Sequence, residues 1–448
     1  MLYLYRKNKK YEGVLIMKKI TAVLIGAGNR GRTYANFAHD YYGDKIEIVA
    51  VAEPDESIRS FCKEKYELDE SACYHDWDEL FAKGKIADAA IIATQDKDHL
   101  IPAIRAIDLG YELLLEKPMA VTPEECIKIA DRANEKGVNV VVCHVLRYTP
   151  FFGLLKKLID EGKVGRVINI IHVEGVGERH YSHSYTRGNW CNVAKSSPMI
   201  LAKSCHDMDI LQWLLGKRCT KVQSFGSLTH FTHENCPEGA PARCIDGCPY
   251  ADECTYNAVR LYQKDRWFIG TATGKVKPTD EDIDHMLRTS DYGRCVYQSD
   301  NDVVDHQTVN LEFEDNSLVS FTMSAFNKGG RFIRIMGTKG ELTAYMSDDK
   351  IKYYNFLTKE TTEISVKDAV NDETIVGGHG GGDKGIVGTF TELLSGTYNG
   401  NCLSDVSVSC ENHLIAFAAE ESRLHGTIVN MDEYVERCRK NAAILYKE

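Results

Sequence analysis

The chain has 448 residues, 43% of them hydrophobic and 27% charged, with a net charge of −11 at pH 7. That length points to two domains or one with a large extension, and the apolar content is enough for real cores. The acidic balance without a basic run argues against a nucleic-acid partner, and apolar runs such as 89–93 are too short to cross a bilayer, so no membrane partner is expected either.

Residues 1–16 read as a leader outside the fold. Met1-Leu2-Tyr3-Leu4-Tyr5 precedes its basic residues, the wrong order for a signal peptide, and a strand begins just after Met17, the expected biological start. Fifteen cysteines without a secretory signal fit reduced thiols and a cytoplasmic chain.

From residue 20 the pattern alternates. An apolar strand at 20–25 is followed by Gly26-Ala27-Gly28-Asn29-Arg30-Gly31 and a helix through Ala38. A second strand at 46–52 leads to a helix near 56–66. Strands at 89–93, 112–115 and 138–143 are separated by helices near 99–109 and 123–136. This alternation implies a parallel, doubly wound α/β sheet. After about Pro150 the texture changes: a helix at 152–161, a long strand at 167–176, then strands at 308–313, 318–325, 331–337 and 340–346 that read as an antiparallel meander. An amphipathic helix near 407–424 closes the pattern. The expected organisation is an N-terminal Rossmann domain, 17–146, and a C-terminal α+β domain with a large, mostly antiparallel sheet, 147–430. Residues 229–302 form an irregular, cysteine-rich insertion, and 377–382 a flexible glycine loop around His379.

Gly26, Gly28 and Gly31 fit the dinucleotide fingerprint G-x-G-x-x-G, placed between a strand and a helix. Asn29 and Arg30 lie inside that turn, whose helix N-terminus faces the phosphates. Glu53, ending the second strand, is placed to accept from ribose hydroxyls and to repel a 2′-phosphate, which favours NAD over NADP. Glu116-Lys117-Pro118 closes the strand at 112–115 and puts an amine at the carboxyl edge of the sheet, where ligands bind in such folds.

With Ala93-Thr94-Gln95-Asp96 and His99, Arg147-Tyr148-Thr149-Pro150, and Ser204-Cys205-His206-Asp207-Met208-Asp209, these motifs resemble the Gfo/Idh/MocA oxidoreductases across residues 18–430. The resemblance implies that Thr94, Asp96, His99 and Glu116 line the cofactor beside Lys117. It also implies that Arg147, Tyr148 and Asp207 face the substrate, and that the protein is a homo-oligomer. Lys117 would hold the reacting hydroxyl and His206 would take its proton. A helix with Ser197 as N-cap and Pro198 at N1 would set Lys203, His206 and Asp209 on one face, with Asp209 orienting the ring. One departure stands out: inositol-dehydrogenase-like members usually carry Asp four residues before this histidine, and position 202 is Ala, so Lys203 would take over that role.

Arg187-Gly188-Asn189-Trp190 reads as a substrate-contact loop, with donors for hydroxyls and an aromatic face for a sugar ring, or as a structural loop. The His379 loop with Asp383 reads as a lid or a linker. Cys236, Cys244, Cys248 and Cys254 suggest a structural zinc site, less plausibly an iron–sulfur cluster, with free thiols as the alternative; His230 or His233 would substitute for Cys236. The implied activity is NAD-dependent oxidation of a secondary hydroxyl on a small-molecule sugar, cyclitol or glycoside. The alternatives are redox-assisted glycoside cleavage with tightly held NAD, and a non-catalytic dinucleotide-binding regulator.

Overall fold

The computed structural model describes residues 19–370 and 378–445. The expected leader 1–16, Met17, Gly377 and the side chain of His379 lie outside the described residues.

The first sheet has six parallel strands: β1 (Ile20–Ile25), β2 (Ile46–Ala52), β3 (Cys73–Tyr74), β4 (Ala89–Ile92), β5 (Glu112–Leu115) and β6 (Val140–Val142). They lie in the order β3-β2-β1-β4-β5-β6. The order reverses between β1 and β4, which opens a crevice at the carboxyl edges of those strands. All four residues of β4 are buried, as expected where helices cover both faces. Ile91 and Ile92 each contribute about 1.5–3 kcal/mol by leaving water. The helix Pro123–Lys136 begins in a reciprocal capping box between Thr122 and Glu125 and ends at the left-handed Gly137; the Thr122 cap is worth about 1 kcal/mol.

The second sheet has nine strands: β7 (Val167–Gly175), β8 (Cys219–Ser227), β9 (His306–Phe313), β10 (Leu318–Ser324), β11 (Gly330–Gly337), β12 (Gly340–Tyr345), β13 (Lys350–Asn355), β14 (Thr361–Ser365) and β15 (Val429–Asn430). Their order is β14-β13-β12-β11-β7-β10-β9-β8-β15. The expected meander is interrupted. β10 and β11 do not pair; β7 lies between them, parallel to β10 and antiparallel to β11. Local turn signals cannot reveal a strand arriving from 150 residues upstream, and they also missed β8, β13, β14 and β15.

Two C-terminal helices tie the halves together. Gly382–Leu394 packs on Asn29–Tyr42, and its Ile386, Val387 and Phe390 share a buried cluster with Ile20, Leu24 and Ile91 of the first sheet. The approach is close enough that a Cβ on Gly382 would sit 2.1 Å from Val145 O. The expected glycine loop is therefore, over Gly378–Gly381, a single 3₁₀ turn leading straight into this helix. Val406–His425 crosses β8 and packs on Pro123–Lys136 and Cys205–Leu215. The free edge of β6 is covered by the chain before that helix, where Val142 N–H donates to Ser404 O at 2.9 Å.

The cysteine-rich stretch is more ordered than its composition suggested. Asp280–Thr289 carries its own capping box, and Ala258, Leu261, Tyr262, Ile283, Met286 and Leu287 form a small separate core. Among the described residues no helix is long and apolar enough to cross a membrane.

Candidate active cleft

The glycine turn is built as its spacing demands. Gly26 has φ +79°, and a Cβ on Gly31 would stand 2.0 Å from Gly26 O. Gly28 differs: a Cβ there meets nothing within 4 Å, so the outer side of the turn is open to a pyrophosphate. Glu53 braces the turn, accepting from Ala27 N–H at 2.7 Å through one carboxylate oxygen and from Asp55 N–H at 3.0 Å through the other. A carboxylate has lone pairs beyond those two, so ribose hydroxyls can still be accepted. Asn29 is exposed at the start of the helix.

Arg30 turns away from the phosphate position. Its Nε lies 2.7 Å from Glu116 Oε1, its Nη2 lies 2.6 Å from Asp383 Oδ1, and Nη2 also donates to Tyr34 OH. Burial alone would raise the Glu116 carboxyl, but the Arg30 guanidinium and the Lys117 ammonium overcome it and hold Glu116 below the usual carboxylate range. Glu116 and Arg30 thus anchor the strand end, and Asp383 belongs to the same cluster.

Strand alternation sends Lys117 to the other side. Its Nζ donates to Ala202 O at 3.0 Å and lies 5.9 Å from the centre of the Trp190 ring. This places the amine between the carboxyl edge of β5 and the second half of the molecule.

The helix expected from Ser197 is two helices, Met199–Ala202 and Cys205–Leu215, broken at Lys203-Ser204. Pro198 occupies the N-cap position and the Ser197 hydroxyl makes no cap. The break separates the side chains that helical spacing would have aligned. Lys203 Nζ lies 3.2 Å from Glu174 Oε1 on β7, and Arg331 links Glu174 to Asp207, each at 2.8 Å. His172 Nε2–H donates to Asp207 Oδ1 at 2.8 Å. Burial lowers the Lys203 amine, with Glu174 opposing. Asp207 is fully buried; Arg331 and His172 outweigh that burial and hold its carboxyl far below the usual range. Asp207 is thus part of an internal charge network.

Asp209 does not orient His206. Its carboxylate takes a two-point ion pair from Arg147, at 2.8 and 2.7 Å, and a hydrogen bond from Asn412 at 2.7 Å. Arg147 and Tyr148, expected at the substrate, are bound to Asp209 and Ser404. His206 itself remains near the lysine side of the cleft, 5% exposed, with its ring edge-on to His144 at 5.9 Å.

The 187–190 segment splits. Arg187 is buried and donates to Arg294 O and Tyr256 O, pinning the cysteine-rich insertion. Asn189 is exposed beside a cavity of about 350 Å³ that also meets Asp96, Lys97, Lys195 and Ser196. Trp190 Nε1–H donates to Asp96 Oδ2 at 2.8 Å, a direct bond across the two halves. Thr94 Oγ1 donates to Asp98 O, and His99 is fully buried with Nδ1 2.7 Å from Pro118 O. His99 supports the Lys117 turn from beneath.

Two residues escaped the sequence reading. His144 is wholly buried next to His206 and His413. Tyr185 is buried with its ring 6.0 Å from Trp190, near Glu174 and Asp96. The step from β6 into Cys143-His144 was readable as a strand end on the ligand-binding edge. Tyr185 was not, because it lies in a single wide helical turn, Ser182–Arg187.

The four insertion cysteines are not gathered into a metal centre: among the described residues no three His, Cys, Asp or Glu side chains stand close enough together to hold an ion. Cys236 Sγ is bound by Gln298, and Cys244 Sγ lies 3.8 Å from Arg187 Nη2. All fifteen cysteines are free thiols.

Family models match most of the chain. Residues 20–144 match the oxidoreductase family with an NAD-binding Rossmann fold, and residues 152–343 match the GFO/IDH/MocA C-terminal domain. The chain belongs to the Gfo/Idh/MocA oxidoreductase family. It is 24% identical over 394 residues to the oxidoreductase YteT of Bacillus subtilis (strain 168), covering 80% of this chain and 86% of that one. It is 26% identical over 181 residues to inositol 2-dehydrogenase of Salmonella typhimurium, covering 40% of this chain and only half of that enzyme. Among solved structures, levoglucosan dehydrogenase in complex with NADH and levoglucosan superposes with a TM-score of 0.66 at 16% identity, over 92% of this chain and 100% of that one. The chain is thus an NAD-binding oxidoreductase with the two-part fold of this family.

Proposed function

We propose that this chain is an NAD-dependent dehydrogenase that oxidises a secondary hydroxyl of a sugar, cyclitol or glycoside. The observation that carries this reading is the position of Lys117: an ammonium at the carboxyl edge of β5, under Trp190 and on the same edge as the Gly26 turn. The relatives named as inositol and levoglucosan dehydrogenases support a polyhydroxylated substrate.

Gly26, Gly28 and Gly31 would hold the pyrophosphate and Glu53 the adenosine ribose, and the Glu53 carboxylate favours NAD over NADP. Bound NAD supplies the hydride acceptor. Lys117 donates to the substrate oxygen and stabilises its developing negative charge, while the His206 imidazole takes the hydroxyl proton. Trp190 offers its ring face to the sugar, and Asn189 a side-chain amide at the mouth. Lys203 acts at one remove, held by Glu174. We place the protein in the cytoplasm as a homo-oligomer; Ile171, Phe225 and Leu318, exposed on strands of the second sheet, are a suitable interface.

A panel of sugars, cyclitols and glycosides read by NADH absorbance and by product chromatography tests the reading. NADH formed in step with a ketone product is expected. A cleaved product without net NADH would replace it with redox-assisted cleavage, and NAD binding without any turnover would replace it with a regulator.

A further inference from the structure

We propose that His144 is a positioning residue for Lys117, a buried imidazole whose ring nitrogen accepts a hydrogen bond from the lysine ammonium and aims it at the substrate oxygen. The inference rests on the catalytic reading of Lys117 given above.

The sheet register brings the two together. β5 and β6 pair Leu115 with Val142, and Cys143 N–H continues the ladder to Leu115 O at 2.8 Å. Two residues beyond that pair stand Lys117 and His144, at the ends of neighbouring parallel strands and on the same side of the sheet. Strands so paired run about 4.8 Å apart. The opposite side, through Glu116 and Cys143, belongs to the Arg30–Tyr34 cluster. The alternation separates the anchoring residues from the reacting ones.

His144 is fully buried, and neither of its ring nitrogens has a hydrogen-bond partner among the described residues. A neutral imidazole offers one donor and one acceptor. Leaving both unmet in a dry interior is destabilising, and such exceptions call for an explanation. The neighbouring imidazole cannot satisfy them. His413, 5.2 Å away, accepts Met119 N–H at Nε2 and bonds Ser409 O through Nδ1, so both of its nitrogens are occupied. Burial, with Arg147 and Lys117 nearby, keeps the His144 proton affinity well below the ordinary histidine value. Its lone pair is therefore available to an ammonium at neutral pH. Lys117 has three N–H donors, and the Ala202 carbonyl uses one of them. In the proposed arrangement Ala202 O holds one N–H of the lysine and the His144 ring takes a second.

The test compares His144→Phe and His144→Gln with wild type. Phe fills the space and removes both ring nitrogens, the proposed acceptor among them; Gln keeps an acceptor. The expected result is a His144→Phe protein that melts at or above the wild-type temperature and binds NAD normally, with kcat lower by about tenfold or more. His144→Gln should recover most of that loss. Wild-type turnover in His144→Phe, or equal losses in both variants, would overturn the proposal. A second arm needs no substrate: acetic anhydride labelling of Lys117, quantified by peptide mass spectrometry. Loss of the hydrogen bond should make the Lys117 amine label faster in His144→Phe, and an unchanged rate would overturn the proposal. Failure of the whole substrate panel with wild type would instead count against the dehydrogenase reading, leaving the labelling arm to judge His144.

Discussion

Arg30 Nη2 stands 2.6 Å from Asp383 Oδ1, joining residues 353 positions apart in the chain. The bond fixes the first turn of the dinucleotide-facing helix to the C-terminal helix Gly382–Leu394. Arg30 also braces Glu116, so one guanidinium orders both the glycine turn and the strand end that presents Lys117.

Removing the acid should loosen both. Asp383→Ala leaves a largely buried guanidinium with less compensation, a loss on the order of 3 kcal/mol for a buried pair. The urea midpoint is expected to fall and NAD to bind more weakly, measured by fluorescence titration. An unchanged midpoint would show that the pair contributes nothing to the fold.

Lys117→Ala should separate binding from chemistry. Among the described residues the side chain bonds the main chain only at Ala202 O, so the fold loses little. We expect kcat to drop by about a hundredfold or more with NAD affinity near wild type. Comparable turnover in the variant would refute the catalytic role.

Arg147→Met should act on stability and not on substrate. The guanidinium and the Asp209 carboxylate are both buried and bonded to each other. Burial raises the Asp209 carboxyl, and Arg147 is what opposes that rise. Without it the buried acid keeps the Asn412 hydrogen bond but loses its paired cation, at a cost of about 3–5 kcal/mol. A lower urea midpoint with KM close to wild type is the expected pair of results; a large KM change at unchanged stability would return Arg147 to the substrate site.

Buried histidines make stability depend on acid. Burial drives His183 and His413 each down to about 3. Unfolded, each would bind a proton below about 6.5, while the folded form stays neutral until about 3. The unfolded state therefore holds more protons in that window, and stability falls as pH drops from about 6.5 toward 3, by about 1.4 kcal/mol per pH unit for each group. His183→Phe, in the ring cluster with Tyr292, should flatten the dependence of urea midpoint on pH between 6 and 4 by about one proton. An identical slope in the variant would exclude His183 as a source.

What the sequence made legible was local. The glycine fingerprint and the Glu53 strand end each depend on residues close in the chain, and each sits where its pattern required. The same local logic failed wherever a distant segment intervened. Helical spacing aligned Lys203 with His206, but the competing bond to Glu174 on β7 accompanies a break in the helix at Ser204. Arg147 and Tyr148 carry polar groups suited to a ligand, yet Asp209, Asn412 and Ser404 satisfy that corner internally. Cysteine spacing alone could not show that Gln298 and Arg187 engage Cys236 and Cys244. His144 was overlooked because one histidine after a strand is unremarkable until the neighbouring strand is known to end in Lys117.

The packing of Ile386, Val387 and Phe390 into the first sheet has a consequence for synthesis. A ribosome makes the strands of the nucleotide half early, but the helix that seals one side of them emerges only after most of the chain has been translated. Until then Ile20, Leu24 and Ile91 lack part of their cover. A fragment ending near residue 146 would expose that same greasy flank, so the halves cannot be exchanged as cassettes between relatives without carrying this late helix along.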